Sequence, residues 1–281
     1  MSVPDLVVVG HVVQDLVPGG WRLGGTATFA AVQGERLGLR VGVVTRTSRD
    51  VALQELLPGI DIAGRPSTCT TAFENVYEGP RRRQRVPRQA EAVAAEDVPP
   101  EWRTAPIVLL GPVCGEAPPE LGAIFPRSLV GVAAQGWLRR LDRQRRVRRW
   151  AWQGEPFWSN CTALFVSDED LGQRLDQLHR WKAEVPIVTL TRDRRGAHVY
   201  AKGHRREIKA FPAREVDPTG VGDVFAAAFM IRYHETKKVE EAARFASAAA
   251  ACSIEGQGME AIAARPRIAA HMKEHPEIVL R

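Results

Sequence analysis

Residues 217–223 combine residue types that could bind and activate a phosphate. The segment reads Asp-Pro-Thr-Gly-Val-Gly-Asp, and an apolar run typical of a helix follows it. Gly220 and Gly222 allow backbone angles that a side chain would resist, and they leave room for a ligand to approach the backbone closely. A helix that begins here presents unpaired N–H groups and a partial positive charge, which together favour an anion. The sequence therefore predicts a catalytic segment made of Gly220, Val221, Gly222 and Asp223.

Asp223 is the predicted general base of this segment. Its carboxylate would take a proton from an attacking hydroxyl while backbone amides hold the phosphate. We expect the helix N-terminus to favour its ionised form. The alternative is an ordinary loop before a capped helix. Two other phosphate motifs are excluded, because no G-x-x-x-x-G-K-[ST] occurs and Phe225 stands where a dinucleotide fingerprint has its third glycine.

Composition favours a cytoplasmic enzyme. A chain of 281 residues can bury one large core, or a core with a small appendage. It has no apolar run of about 18 residues, so no membrane span is expected. Residues 6–9 are too short for a signal peptide and are interpreted as a first strand. The four cysteines are scattered without C-x-x-C spacing, which indicates reduced structural thiols.

The net charge of +6 comes largely from arginine runs at residues 81–85 and 139–149. Such runs can bind nucleic acid, but the aromatic-and-basic pattern of a nucleic-acid module is missing. We interpret them as solvated surface whose positive field would attract anionic ligands.

Short apolar strands alternate with helical stretches along the chain. The predicted strands are residues 5–10, 40–45, 60–64, 68–77, 81–88, 106–113, 129–134, 163–166, 186–191, 198–200 and 205–211. The predicted helices are residues 26–37, 49–57, 168–181, 224–233 and 239–254. This alternation predicts an α/β fold with a mostly parallel sheet and helices on both faces. A turn is expected at Glu78-Gly79-Pro80.

Two segments resemble the ribokinase/phosphofructokinase-B family of sugar kinases. Residues 217–223 resemble its second signature, D-T-x-G-A-G-D, with an Asp-Pro-Thr opening and Val221 in place of Ala. Residues 23–32 resemble the Gly-Gly segment that opens the family's first helix. The resemblance implies a ribokinase-like three-layer sandwich in which residues 1–281 form a single kinase domain. It also implies a short β-rich lid at about residues 60–90, for which an edge of the main sheet is the alternative.

A branch of this family is also indicated. Residues 216–220 resemble the V-D-P-T-G of the myo-inositol kinase branch, and residues 132–139 resemble its D-x-Q-x-x-x-R segment. Ala133 stands where that segment has Asp. The acceptor implied by this resemblance is a sugar or a cyclic polyol.

The resemblance assigns further roles residue by residue. The implied substrate-binding residues are Asp15, Gly24, Gly25, Gln135 and Arg139. The implied nucleotide-binding residues are Thr191, Arg192, Gly196, Ala249, Cys252 and Gly256. The implied metal-site residues are Asp170 and Asp217. Purely structural alternatives stay open. Asp15 could be a turn residue, Ser167 could be a helix N-cap, and the small residues of 246–253 could serve tight helix packing.

The implied activity is transfer of the γ-phosphate of ATP to a hydroxyl, with Mg²⁺ required and activation by K⁺ left open. A monomer or homodimer is expected. The competing hypothesis is that the chain is a catalytically inactive relative of these kinases, which acts as a regulator by binding a ligand or nucleic acid. It is motivated by Ala133, Ser167 and Thr191, which replace residues usual in the family.

Overall fold

The computed structural model describes residues 2–78, 81–152 and 160–281. Its strands are β1 (Leu6–Val9), β2 (Val13–Val17), β3 (Gly20–Gly24), β4 (Val41–Val44), β5 (Ile60–Ala63), β6 (Ala72–Glu78), β7 (Arg81–Arg88), β8 (Ile107–Leu110), β9 (Leu129–Ala133), β10 (Arg139–Leu141), β11 (Val147–Arg149), β12 (Cys161–Ser167), β13 (Ile187–Thr191), β14 (Ala197–Ala201) and β15 (His204–Ile208). Its α-helices are α1 (Thr26–Arg36), α2 (Leu53–Leu56), α3 (Asp168–Leu171), α4 (Leu175–Glu184), α5 (Val221–Thr236), α6 (Val239–Ser253) and α7 (Arg265–Glu274).

A nine-stranded sheet in the order β15-β14-β13-β12-β9-β8-β1-β4-β5 runs through the described residues. The strands from β13 to β5 are parallel, and β14 and β15 add an antiparallel edge. Successive side chains of a strand point to opposite faces. Leu6 and Val8 accordingly pack with α1, α5 and α6 on one face, whereas Val7 and Val9 pack against a second core cluster on the other. The prediction of a mostly parallel sheet with layers on both faces is confirmed.

The segment predicted as a lid, residues 60–90, is divided between two sheets. β6 and β7 belong to a separate four-stranded sheet in the order β3-β2-β6-β7, which we call the lid after its predicted role, and two of its strands precede α1. The turn at Pro18-Gly19, with φ of 83° at Gly19, joins β2 to β3. Ile60–Ala63 belongs instead to the main sheet, where it pairs in parallel with β4. The expected turn at residues 78–80 falls partly on residues 79 and 80, which lie outside the described ranges.

A hairpin of β10 and β11 extends the lid. Val86 in β7 donates its N–H to Arg145 O at 2.9 Å, and Leu141 and Val147 pack against the small core of the lid. This hairpin follows β9 after a 3-10 turn of five residues, Ala134–Leu138, so it links the lid to the carboxyl ends of the parallel strands.

The helix predicted at residues 168–181 is interrupted. α3 ends at Leu171, where Gly172 adopts a φ of 59°, and α4 begins at Leu175. A glycine with positive φ ends a helix readily because it lacks a Cβ. Among the described residues, no helix is long and apolar enough to cross a membrane.

Candidate active site

The N-terminus of α5 is shaped by Gly220. This residue is the N-cap with φ of 75°, and its carbonyl accepts hydrogen bonds from Asp223 N at 3.0 Å and Val224 N at 2.9 Å. A Cβ at this position would lie 2.2 Å from the Phe29 ring. Both the backbone angle and the packing of α1 therefore require glycine at residue 220.

Gly222 differs from Gly220 in its backbone angle and in the space around it. Its φ is not positive, so the unusual backbone angle expected there is found at Gly220 alone. A Cβ built on Gly222 would meet no atom within 4 Å, and the residue is exposed. Open space therefore lies over the first turn of α5, where a helix can bind an anion.

Asp223 lies in the first turn of α5 and is half-buried. Burial raises the pKa of its carboxyl to about 6, against a hydrogen bond from Thr26 and the charge of Arg139, which lower it. The negative charge of Asp170 raises it further. The helix N-terminus was expected to favour the ionised form, whereas burial raises the pKa; at neutral pH the carboxylate is still mostly ionised, and a pKa near the working pH suits a general base.

Asp170, Gln135 and Arg139 form one cluster at the ends of β9 and β12. Gln135 Nε2 donates to Asp170 Oδ2 at 3.1 Å, and Arg139 Nη2 lies 3.4 Å from Asp170 Oδ1. Ser167 is the N-cap of α3, as its alternative interpretation predicted: its Oγ accepts from Asp170 N at 3.0 Å and donates to Asp170 Oδ2 at 2.7 Å. The structure thus joins a predicted metal-site carboxylate to two predicted substrate residues.

Asp15 lies in β2, half-buried, at the lid side of the site. A Cβ on Gly24 would lie 2.1 Å from Asp15 Oδ2, so the carboxylate rests directly over the Gly24 backbone. Gly25 is the N-cap of α1 with φ of 86°, and a Cβ there would lie 2.7 Å from His11 O. Both glycines are explained by close packing, and a role in substrate binding stays a prediction.

Asp217 ties its loop to the segment after α6. Its Oδ1 accepts from Thr219 N at 2.9 Å and its Oδ2 from Gly258 N at 3.3 Å. Burial raises the pKa of this carboxyl, but the hydrogen bonds outweigh it and the pKa lies below its usual range. The carboxylate is therefore ionised and already coordinated by amides, and its metal role stays a prediction.

The predicted nucleotide residues fall in two places. Thr191 and Arg192 end β13, and Gly196 closes the turn to β14 with φ of 83°, where a Cβ would lie 2.0 Å from Ile208 O. Ala249 and Cys252 in α6 are 0% and 2% exposed and belong to the main core. A base could touch these two side chains only if their neighbours moved, so the packing alternative describes them better in this structure. Gly256 follows α6, where a Cβ would lie 3.1 Å from Ala261 Cβ.

Two contributors to the site were missed from the sequence. Thr26, the first residue of α1, hydrogen-bonds Asp223, and its place directly after the Gly-Gly pair was the signal that could have found it. Glu116 is 2% exposed and accepts from His11 N at 3.0 Å and from Val113 N at 2.9 Å. It thereby fixes the loops after β1 and β8, and nothing in its local sequence signals this.

Comparison with known proteins decides the family. Residues 155–264 match the model of the pfkB family carbohydrate kinases. Cytidine kinase of Thermococcus kodakarensis is 30% identical over 267 residues, which is 85% of this chain and 92% of that protein. The chain belongs to the pfkB family of carbohydrate kinases. This pfkB kinase also matches a ribokinase of Haemophilus influenzae, at 33% identity over 35% of this chain and 32% of that one.

Solved structures support the fold of this pfkB kinase. A pyrophosphate-dependent myo-inositol-1 kinase variant superposes with a TM-score of 0.79 at 22% identity, covering 96% of this chain and 99% of that chain. Ribokinase of Arabidopsis thaliana, complexed with ribose and ATP, superposes with a TM-score of 0.73 at 20% identity, covering 96% and 99%. The predicted ribokinase-like fold and carbohydrate kinase activity are confirmed.

Proposed function

We propose that this pfkB kinase transfers the γ-phosphoryl group of ATP to a hydroxyl of a sugar, a polyol or the ribose of a nucleoside, with Asp223 as general base. The observation that carries the proposal is the first turn of α5. There an ionisable carboxylate with a pKa of about 6 stands beside the open backbone of Gly222. A base and an anion-binding helix end within one turn are what in-line phosphoryl transfer needs.

Phosphoryl transfer to the acceptor forms one P–O bond and breaks another. The acceptor oxygen forms a bond to the γ-phosphorus while the bond to the β–γ bridging oxygen breaks and ADP leaves. The proton of the hydroxyl passes to the Asp223 carboxylate. Within Gly220–Asp223, the N–H groups of Val221 and Asp223 already donate to Pro218 O and Gly220 O, so the N–H of Gly222 and the partial charge of the helix N-terminus would stabilise negative charge on the transferred group.

Asp170 is the residue that best fits a magnesium site. A carboxylate has about four acceptor positions, and Gln135, Ser167 and Arg139 use three on Asp170. This leaves capacity for the water shell that Mg²⁺ usually keeps. When bound with the donor, Mg²⁺ would neutralise phosphate charge. The half-buried Asp217 could contribute to a K⁺ loop only through oxygens that already accept amide hydrogens.

The relatives support a range of acceptors and two donors. They include a cytidine kinase, ribokinases and myo-inositol kinases, and they include both an ATP complex and pyrophosphate-dependent enzymes. The polyol branch suggested by residues 132–139 therefore stays one option among three. Asp15 suits each acceptor, because a carboxylate can accept two hydroxyl hydrogen bonds.

A panel of acceptors crossed with donors tests the proposal. Ribose, fructose, myo-inositol, cytidine and adenosine are each incubated with ATP·Mg²⁺ and with pyrophosphate·Mg²⁺, and phosphorylated product is measured by mass spectrometry. We expect product with ATP for at least one acceptor and none with Asp223→Asn. If the wild type binds an acceptor in calorimetry yet forms no product with either donor, the catalytically idle hypothesis replaces this one. The same preparation, run by light scattering, distinguishes the expected monomer from a homodimer.

A further inference from the structure

A cavity beside the lid includes Arg139, one of the predicted substrate-binding residues, in its wall. A cavity of about 390 Å³ lies where the end of β7, the loop after β8 and the β10–β11 hairpin meet. Its lining residues are Gln89, Cys114, Gly115, Pro119, Gly136, Trp137, Arg139, Arg140, Leu141, Trp150 and Trp152. The volume is within the roughly 300–1,000 Å³ typical of small-molecule sites.

Arg139 connects this cavity to the proposed catalytic base. It lines the cavity, its Nη2 lies 3.4 Å from Asp170 Oδ1, and its charge lowers the pKa of Asp223. Arg139 is therefore shared between the wall of this cavity and the ion pair with Asp170.

Three indole rings give the cavity its chemistry. Trp137 Nε1 donates to Ala117 O at 2.7 Å, which fixes the Trp137 ring, and the ring centroid of Trp152 lies 4.3 Å from that of Trp137. Trp150 is 43% exposed, with the guanidinium of Arg140 3.4 Å above its ring. Such a wall of flat rings with a stacked guanidinium suits a planar ligand, because stacking and cation–π contact need a π-face.

The polar groups of the cavity favour a nucleobase over a second hydroxylated ring. None of the lining residues, all of which lie within the described ranges, carries a carboxylate, and its charged side chains, Arg139 and Arg140, are donors only. The hydroxyls of a polyol each bring a proton that needs an acceptor. The carbonyl oxygen and ring nitrogen of a base such as cytosine can instead accept from the guanidinium of Arg140, and Gln89 offers an amide oxygen for an exocyclic amine.

We infer that this cavity binds the base of a nucleoside, whose ribose hydroxyl is the group phosphorylated at Asp223. The inference rests on the proposed function for the reaction, whereas the binding of the base does not depend on turnover. The nucleoside would place its base against Trp150 and its ribose toward Arg139.

Calorimetry and kinetics with cytidine and free ribose test the inference on the full chain. We expect cytidine to bind without donor, and its kcat/KM to exceed that of ribose by about 10-fold or more, the scale of one base–aromatic stacking contact. Trp150→Ala should weaken cytidine binding by about 10-fold, and Trp150→Phe should restore much of it. Trp21→Ala is the matched control, because Trp21 is an indole of similar exposure, 38%, on β3 outside the cavity.

The outcomes separate the inference from the proposed function. If cytidine binds and Trp150→Ala weakens it while neither donor gives product, the base site stands and phosphoryl transfer fails. If ribose is phosphorylated but cytidine neither binds nor reacts, the base site is overturned and the kinase stands. Cytidine binding that is equal in wild type and Trp150→Ala also overturns the base site.

Discussion

Arg139 and Asp170 form an ion pair beside Asp223, and their charges act on its carboxyl in opposite directions. The pair is mostly shielded, with side chains 12% and 15% exposed and 3.4 Å between Nη2 and Oδ1. The positive charge lowers the pKa of Asp223 and the negative charge raises it, while burial sets the pKa near 6. The basicity of the proposed catalytic group is thus set mainly by burial, and the charges of Arg139 and Asp170 adjust it in opposite directions.

Replacement of the proposed base tests its role directly. Asp223→Asn keeps the size of the side chain and a hydrogen-bonding group but cannot accept the proton. We expect turnover to fall by about 10²–10⁴-fold, the range for a positioned general base. Donor affinity, measured by calorimetry, should change little. Turnover within a few-fold of wild type would show that another group accepts the proton.

The pH profile of kcat/KM should show an acid limb near pH 6. Asp223 has a pKa of about 6, and only its ionised form can accept a proton. Activity should therefore be constant above that pH and fall about tenfold for each unit below it, since kcat/KM reports the free enzyme. The measurement is initial rate against pH at low acceptor concentration.

Two variants should move this limb in opposite directions. Thr26→Val removes a hydrogen bond that lowers the pKa of Asp223, so the limb should move to higher pH. Asp170→Asn removes a negative charge that raises this pKa, so the limb should move to lower pH. Melting temperatures serve as the control for folding. Limbs that stay at one pH in both variants would assign the titration to a different group.

The sequence specified the parallel sheet because its buried strands are short apolar runs such as Leu6–Val9, whose pattern needs no distant information. It did not specify the lid. Val13–Val17 and Gly20–Gly24 carry polar and glycine residues, so only their pairing with each other and with Ala72–Glu78 makes them strands. Likewise, Ile60–Ala63 is locally like any strand, and its partner β4 decides which sheet it joins.

The candidate site shows the same division. Residues 217–223 could be predicted because the two glycines, the aspartate and the start of the helix are adjacent in the sequence. The contact of Arg139 with Asp170 spans 31 positions, and that of His11 with Glu116 spans 105. Such pairs arise from strand order, which one sequence without its fold does not reveal.

The two glycines of the α5 N-terminus should respond differently to substitution. Gly222→Val places a side chain in space that is empty of protein atoms, so stability should change by no more than about 0.5 kcal/mol. Gly220→Ala forces a positive φ on a residue with a Cβ and brings that atom to 2.2 Å from Phe29, so we expect a loss of about 2 kcal/mol or more.

Activity provides the second half of that comparison. The Gly222→Val side chain would occupy the space proposed for phosphate, so turnover should be lost in a folded protein. Thermal unfolding and initial rates are measured on both variants. A Gly222→Val protein with wild-type kinetics would show that the first turn of α5 is only a connection.

Asp15 is the proposed contact for acceptor hydroxyls, and its removal should separate acceptor from donor. The carboxylate lies over Gly24, which is the last residue of lid strand β3 and shortly precedes α1. Ligands of open α/β sheets bind at loops on this edge of the sheet. Asp15→Ala should raise the acceptor KM or abolish phosphorylation, because the acceptor hydroxyls would lose the carboxylate that accepts their hydrogen bonds. Donor affinity by calorimetry should stay close to wild type.

Asp61→Ala, which removes an exposed carboxylate from β5, is the matched control and should leave acceptor kinetics and donor affinity unchanged. If Asp15→Ala keeps wild-type acceptor kinetics, the acceptor hydroxyls are held elsewhere, and neither a polyol nor a ribose is bound by this carboxylate.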